Sequence, residues 1–238
     1  MNRPRLTPSV IPNLFTAMNM FCGFLSIISA SEENYNYAAW LIFIAAIFDA
    51  LDGMVARLTN SSSELGVELD SLSDIVSFGA APSFLLYKTY FYSMDTLGII
   101  LSALPLIAGG FRLARFNVQL VGFSKSFFLG LPIPSSALTI ASFILAFYND
   151  GFQKPLSDFI LPMVLVLSFL MVSNIRYETF PKFSLQGIKE KPFHFFFLLF
   201  SAVIVFFMYK KGLFLVFVFM ILIGILRHIY KLITSRTQ

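Results

Sequence analysis

The chain has 238 residues, of which 57% are hydrophobic and only 13% charged; 30 are Phe, and the mean hydropathy is +0.79. A soluble domain is typically about 45–50% apolar and about 25% charged, so this composition excludes a soluble enzyme, a disordered chain, collagen and a coiled coil, and indicates an integral membrane protein. The single cysteine, Cys22, excludes a disulfide framework and a Cys-rich zinc site, and the net charge of +4 is what basic membrane loops supply without any nucleic-acid partner.

A helix needs about 20 mostly apolar residues to cross a bilayer. Runs of this kind at 12–30, 38–58, 67–92, 97–118, 132–149, 158–175, 193–209 and 212–230 predict an all-α, polytopic membrane bundle of about eight transmembrane helices. The first, Ile11 to Ala30, carries no charge and has no small-x-small cleavage site before Ser31-Glu32-Glu33, so it reads as an uncleaved span. The fifth starts at Pro134, a residue suited to a first helical turn, and the last two are joined by the turn Tyr209-Lys210-Lys211-Gly212. The runs are continuous and not alternating, so strands are not expected. With the N-terminus in the cytoplasm, most Lys and Arg fall on the cytoplasmic side, leaving Lys88, Lys154, Lys210 and Lys211 opposite; both termini are therefore expected inside.

The second and third spans carry acids where a membrane disfavours them. Asp49 and Asp52 close one apolar run, and Asp70 and Asp74 lie early in the next. An aspartate at mid-bilayer costs roughly 2.5–3.5 kcal/mol on insertion scales, and such residues normally face a wet cavity. Asp49, Gly53 and Ala56 share one helical stripe with Asp52 beside them, while Gly66, Asp70 and Asp74 form a second. The intervening Thr59-Asn60-Ser61-Ser62-Ser63-Glu64 reads as a polar turn, with Ser61 and Glu64 at capping-box spacing. A short connection makes the helices antiparallel neighbours, so the four carboxylates converge. Their oxygens suit a hard cation such as Mg²⁺, Mn²⁺ or Ca²⁺; Gly53, Ala56 and Gly66 leave room for a ligand; and Arg57 brings a phosphate-seeking guanidinium. Small residues alone would equally serve close helix packing, and acids alone could line a cation path. A transporter would show two symmetry-related halves, and no repeat is visible.

The segment Asp49-x2-Asp52-Gly53-x2-Ala56-Arg57-x8-Gly66-x3-Asp70-x3-Asp74 resembles the signature of the CDP-alcohol phosphatidyltransferase family at every fixed position. Pro12 to Asn19 followed by Gly23, Arg112 to Asn117, Gly130 to Pro134, and Met171 to Tyr177 resemble its integral-membrane, serine-accepting branch. The stretch Glu178-Thr179-Phe180-Pro181-Lys182 departs from that pattern, which more often has serine before the Phe and no proline. The resemblance implies transfer of the phosphatidyl group of CDP-diacylglycerol to L-serine, giving phosphatidylserine and CMP. It implies two divalent cations, Mg²⁺ or Mn²⁺, on Asp49, Asp52, Asp70 and Asp74, with Asp74 also the general base. It implies a CDP-diacylglycerol pocket lined by Asn13, Thr16, Asp52, Gly53, Ala56, Arg57 and Gly66. A single membrane domain spanning 1–238 is expected, with a catalytic core over 1–182 and a two-helix extension over 183–238. A homodimer in a bacterial cytoplasmic membrane, with the site facing the cytoplasm, is also expected.

Serine brings a carboxylate that calls for an arginine. Arg112 and Arg115 share a face of the fourth span, with Asn117 close by, and these three are the expected serine-binding residues. Both arginines could instead snorkel to lipid head groups. His194 and His228, at span ends, read as interfacial bystanders. Glycerol 3-phosphate, inositol phosphate or choline are the alternative acceptors; a phosphorylated one would need more cationic groups near the site.

Overall fold

A computed structural model describes residues 10–59, 61, 63–120, 127–178 and 192–235. Of the basic residues placed on the cytoplasmic side, Arg3, Arg5, Lys125, Lys182, Lys189, Lys191 and Arg236 lie outside the described residues, as do Asn60 and Ser62 of the polar turn and Thr179 to Lys182 of the departing stretch.

The described chain is almost wholly helical. Helices α1 (Val10–Ser31) and α2 (Tyr35–Leu58) form an antiparallel hairpin, followed by α3 (Glu64–Asp74), α4 (Ala81–Thr89), α5 (Asp95–Leu120), α6 (Ile133–Phe147), α7 (Leu156–Val172) and α8 (Pro192–Ser235). In apolar surroundings the backbone must satisfy its own polar groups, and a helix does so within one segment. Four described segments are long and apolar enough to cross a bilayer, Val10–Ser31, Tyr35–Leu58, Phe91–Val118 and Leu199–Tyr230, while Ile133–Phe147 and Leu156–Val172 are apolar but shorter. The protein is an integral membrane protein with an all-helical bundle. Within α8, Tyr209 has φ 49° and ψ −127°, so the helix breaks where the sequence shows the Tyr209–Gly212 turn.

Three features differ from the sequence expectations. The third apolar run is not one regular helix: a π-helical turn, Ile75–Ala80, separates α3 from α4. Its wider turn re-aims the chain, so that Ser73 and Ser77 face α1 while Ala81, Leu85 and Leu86 enter the core. The start of α3 is capped by Ser63, whose Oγ accepts from the Gly66 N–H at 3.1 Å. Ser61 instead meets the Thr59 hydroxyl at 2.6 Å, because the helix begins two residues later than a box from Ser61 requires. A three-residue antiparallel pair also joins β1 (Phe127–Leu129) to β2 (Arg176–Glu178), linking the chain after α5 to the chain after α7.

Two contacts bring α1 against the acid-bearing segment. Ser73 Oγ donates to the Thr16 carbonyl at 3.0 Å and Ser77 Oγ to the Asn19 carbonyl at 2.8 Å. The approach requires Gly23, because a Cβ there would lie 2.6 Å from the Ser77 Cα. Within α5, Pro105 interrupts the helical hydrogen bonding, and the Leu106 N–H donates to Ser83 Oγ of α4 at 3.2 Å. On the opposite side Phe143, Phe147 and Tyr148 form a ring cluster with Phe152 and Phe214, which seats α8 on α6.

Gly23→Leu should lower stability by about 1–3 kcal/mol, the usual cost of overpacking, read as the thermal midpoint in detergent. Gly53→Ala, whose added Cβ meets nothing within 4 Å, should leave the midpoint unchanged or raise it.

Candidate active site

The site is built where α1, α2, α3 and α5 meet. Carboxylate oxygens of Asp49, Asp70 and Asp74 lie within 4.8 Å of one another, so three of the four predicted acids converge. Asp52 stands beside this trio: it is 6% exposed and its Oδ2 accepts from Thr16 Oγ1 at 2.8 Å. Asp52 still acts electrostatically on Asp49, Asp70 and Asp74, so the four form one field of negative charge. Carboxylates this close repel unless protons or cations stand between them.

The donor set answers what could stand there. One oxygen each of Asp70 and Asp74 is buried with no hydrogen-bond partner among the described residues, and Asp74 is only 8% exposed. Buried carboxylate oxygens without donors, grouped with a third carboxylate, fit a hard divalent cation.

The other predicted residues surround this cluster. Asn13 lies across from Gly66, whose added Cβ would sit 3.5 Å from Asn13 Oδ1. Gly53 is exposed with open space at its Cβ position, and Ala56 is half-buried. Arg57 is exposed and its Nε donates to the Gly53 carbonyl at 2.8 Å, which holds the guanidinium along the last turn of α2. Arg112 is 6% exposed, packs 5.8 Å from the centre of the Phe116 ring, and interacts electrostatically with Asp74.

Arg115 and Asn117, the other two residues of the serine-binding expectation, are engaged by the protein's own groups. Arg115 Nη1 donates to the Val172 carbonyl at 2.9 Å; its Nη2 donates to the carbonyls of Leu129 at 3.0 Å, Ser173 at 3.1 Å and Met171 at 3.3 Å. The guanidinium thus caps the C-terminus of α7 and ties it to β1. Gly130, at φ +79°, allows the chain to pass: a Cβ there would lie 2.8 Å from Arg115 Nη2 and run into the Met171 carbonyl. Asn117 Nδ2 donates to Ser71 Oγ at 3.0 Å, fastening α5 to α3 next to Asp70. Sequence reasoning did not single out Ser73, Ser77 or Asn19 as members of the site. Their spacing from Asp70 and Thr16 on a shared helical face was the available signal.

Residues 9–175 match the family described as CDP-alcohol phosphatidyltransferase. The chain is 41% identical over 174 residues to the CDP-diacylglycerol–serine O-phosphatidyltransferase of Helicobacter pylori, covering 73% of each chain. It is 35% identical over 186 residues to the protein of the same name from Bacillus subtilis, covering 76% of this chain and 96% of that one. It is 39% identical over 180 residues to the archaetidylserine synthase of Methanothermobacter thermautotrophicus, covering 74% and 73%. The chain belongs to the CDP-alcohol phosphatidyltransferase family, and is a transferase of phospholipid biosynthesis.

Arg115→Ala removes one donor from each of four carbonyls and should cost on the order of 2–4 kcal/mol. Arg115→Lys, a point charge without the planar fork, should recover only part of it. Thermal midpoints of the two variants and the wild type check this.

Proposed function

We propose that this protein transfers the phosphatidyl group of CDP-diacylglycerol to the hydroxyl of L-serine, giving phosphatidylserine and CMP. The convergence of Asp49, Asp70 and Asp74 beside Asp52 is the observation that carries the reading, and the names of the relatives supply the acceptor.

Asp49, Asp52, Asp70 and Asp74 would hold the cations, in the proposal two ions of Mg²⁺ or Mn²⁺. When bound, divalent cations neutralise a diphosphate and stabilise its leaving group. The protein's own residues do the rest. Asn13, Thr16, Gly53, Ala56, Arg57 and Gly66 surround the nucleotide end of the donor, the small residues by leaving room and Arg57 by facing phosphate oxygens. Asp74 accepts the proton of the serine hydroxyl. A bond forms between that oxygen and the lipid-side phosphorus, the bond from this phosphorus to the bridging oxygen breaks, and CMP leaves with the electron pair. A positioned base of this kind typically contributes 10²–10⁴-fold. Arg112, buried and in the field of Asp74, takes the serine carboxylate. Arg115 and Asn117 act as positioning residues, through the α7 terminus and through Ser71. The acyl chains remain in the bilayer.

The proposed arrangement has about eight spans, with both termini and the site facing the cytoplasm of a bacterium, and the chain paired as a homodimer. Residues 1–182 form the catalytic core in this reading and 183–238 an extension.

Chelation with EDTA should abolish CMP release, and Mg²⁺ or Mn²⁺ should restore it; full activity in excess chelator would overturn the metal assignment. Asp74→Asn should retain CDP-diacylglycerol binding and lose at least about 100-fold in kcat, the lower end of what a general base supplies. In a panel of serine, glycerol 3-phosphate, inositol 1-phosphate and choline, serine should support CMP release. Turnover with another alcohol and none with serine would overturn the acceptor.

A further inference from the structure

Asn19 is the polar side chain that the description of the site leaves over. It is 0% exposed, and neither Oδ1 nor Nδ2 has a hydrogen-bond partner among the described residues. Buried amides are nearly always paired, and an unpaired one in a native fold needs a reason. Replacement by an apolar residue of similar volume would relieve the desolvation penalty, so packing does not explain an asparagine here.

Its surroundings point to a ligand. Thr16 and Asn19 lie one turn apart on the face of α1 that meets the acid-bearing segment. Thr16 donates to Asp52, and the carbonyls of Thr16 and Asn19 accept from Ser73 and Ser77. Asp70, Ser73, Asp74 and Ser77 follow at i, i+3, i+4 and i+7, so the serines that grip α1 share their stripe with two of the clustered acids. Asn19 is thus held opposite this stripe at the level of Ser77. Helical side chains lean toward the N-terminus of their helix, and from the level of Ser77 that is the direction of Thr16 and Ser73, the residue before Asp74. From α5, Arg112 acts on the same Asp74.

We propose that Asn19 is a further acceptor-binding residue, whose Oδ1 takes the ammonium group of a small amino-acid acceptor. The inference rests on the serine-transferase reading above. An acceptor with its hydroxyl at Asp74 and its carboxylate at Arg112 has only its ammonium left to place. A neutral amide oxygen accepts from it without adding a further negative charge to a site that already holds four carboxylates. A buried position below the acid cluster also suits a small acceptor and leaves the lipid donor to other residues.

The test uses the full chain in detergent with CDP-diacylglycerol and Mg²⁺ or Mn²⁺, comparing wild type, Asn19→Ala and Asn19→Leu. CMP release is measured with serine and with β-hydroxypropionate, which is serine without its amino group. Both variants should raise the serine KM about 10- to 100-fold, and should lower the preference for serine over β-hydroxypropionate by the same factor, while the KM for CDP-diacylglycerol moves less than about twofold. The thermal midpoint of Asn19→Leu should equal or exceed that of wild type, which a structural asparagine would not allow. An unchanged serine KM beside an active wild type overturns the Asn19 assignment alone. So does an equal loss with both acceptors, or a rise in the KM for CDP-diacylglycerol. A wild type that releases no CMP with serine overturns the serine reading itself, and the Asn19 assignment with it.

Discussion

Carboxylate oxygens of Asp49, Asp70 and Asp74 within 4.8 Å of one another, with Asp52 beside them, set up a repulsion that an apolar helix bundle screens poorly. Everything around the cluster can be understood as holding that repulsion in place. A loose pair of helices would relieve it by splaying apart. Here α2 and α3 cannot splay freely, because α1 is bonded to both: Thr16 donates its hydroxyl to Asp52 of α2 and its carbonyl receives Ser73 of α3. One residue thus ties together the two helices that carry the acids. The acids are thus held together by partners on a third helix, which is what pre-organisation of a site requires.

The π-helical turn after Asp74 serves the same end. The third apolar run must present Asp70 and Asp74 to a polar site and then bury Leu85 and Leu86 completely. A regular helix would carry the polar stripe on into the core. The wider turn at Ile75–Ala80 ends that stripe at Ser77, whose hydroxyl is satisfied by the Asn19 carbonyl across a contact that only a glycine at 23 permits. Close packing is concentrated beside the acid cluster, and π-turns are frequent at functional sites.

Arg112 and Arg115 illustrate how two arginines on one helix face divide into two roles. Both are arginines, both lie at the same end of α5, and both could answer a carboxylate. The exposed carbonyls at the end of α7 decide between them. A helix C-terminus leaves its last carbonyls without partners, and Arg115 supplies donors to three of them, and to Leu129 of the neighbouring strand pair. Arg112, one turn earlier, is buried and interacts electrostatically with Asp74.

The helical class, the membrane location and the acid signature were legible in the sequence, because each depends on local periodicity and composition. Apolar continuity demands helices in lipid, and a period of 3.6 residues puts Asp70 and Asp74 on one face wherever the helix lies. The break at Tyr209 was legible for the same reason, as a polar turn between apolar runs. The Ser63 cap was misplaced by two residues, since several hydroxyls in a row offer the same cap and only the position of the first helical turn chooses among them. What tertiary structure alone decided rests on partners far apart in the chain: Ser73 to Thr16 across 57 residues, Ser77 to Asn19 across 58, and Arg115 to Val172 across 57. Whether a buried asparagine is paired, or an arginine is spent on carbonyls, is set by which helix packs opposite, and no local pattern encodes that choice.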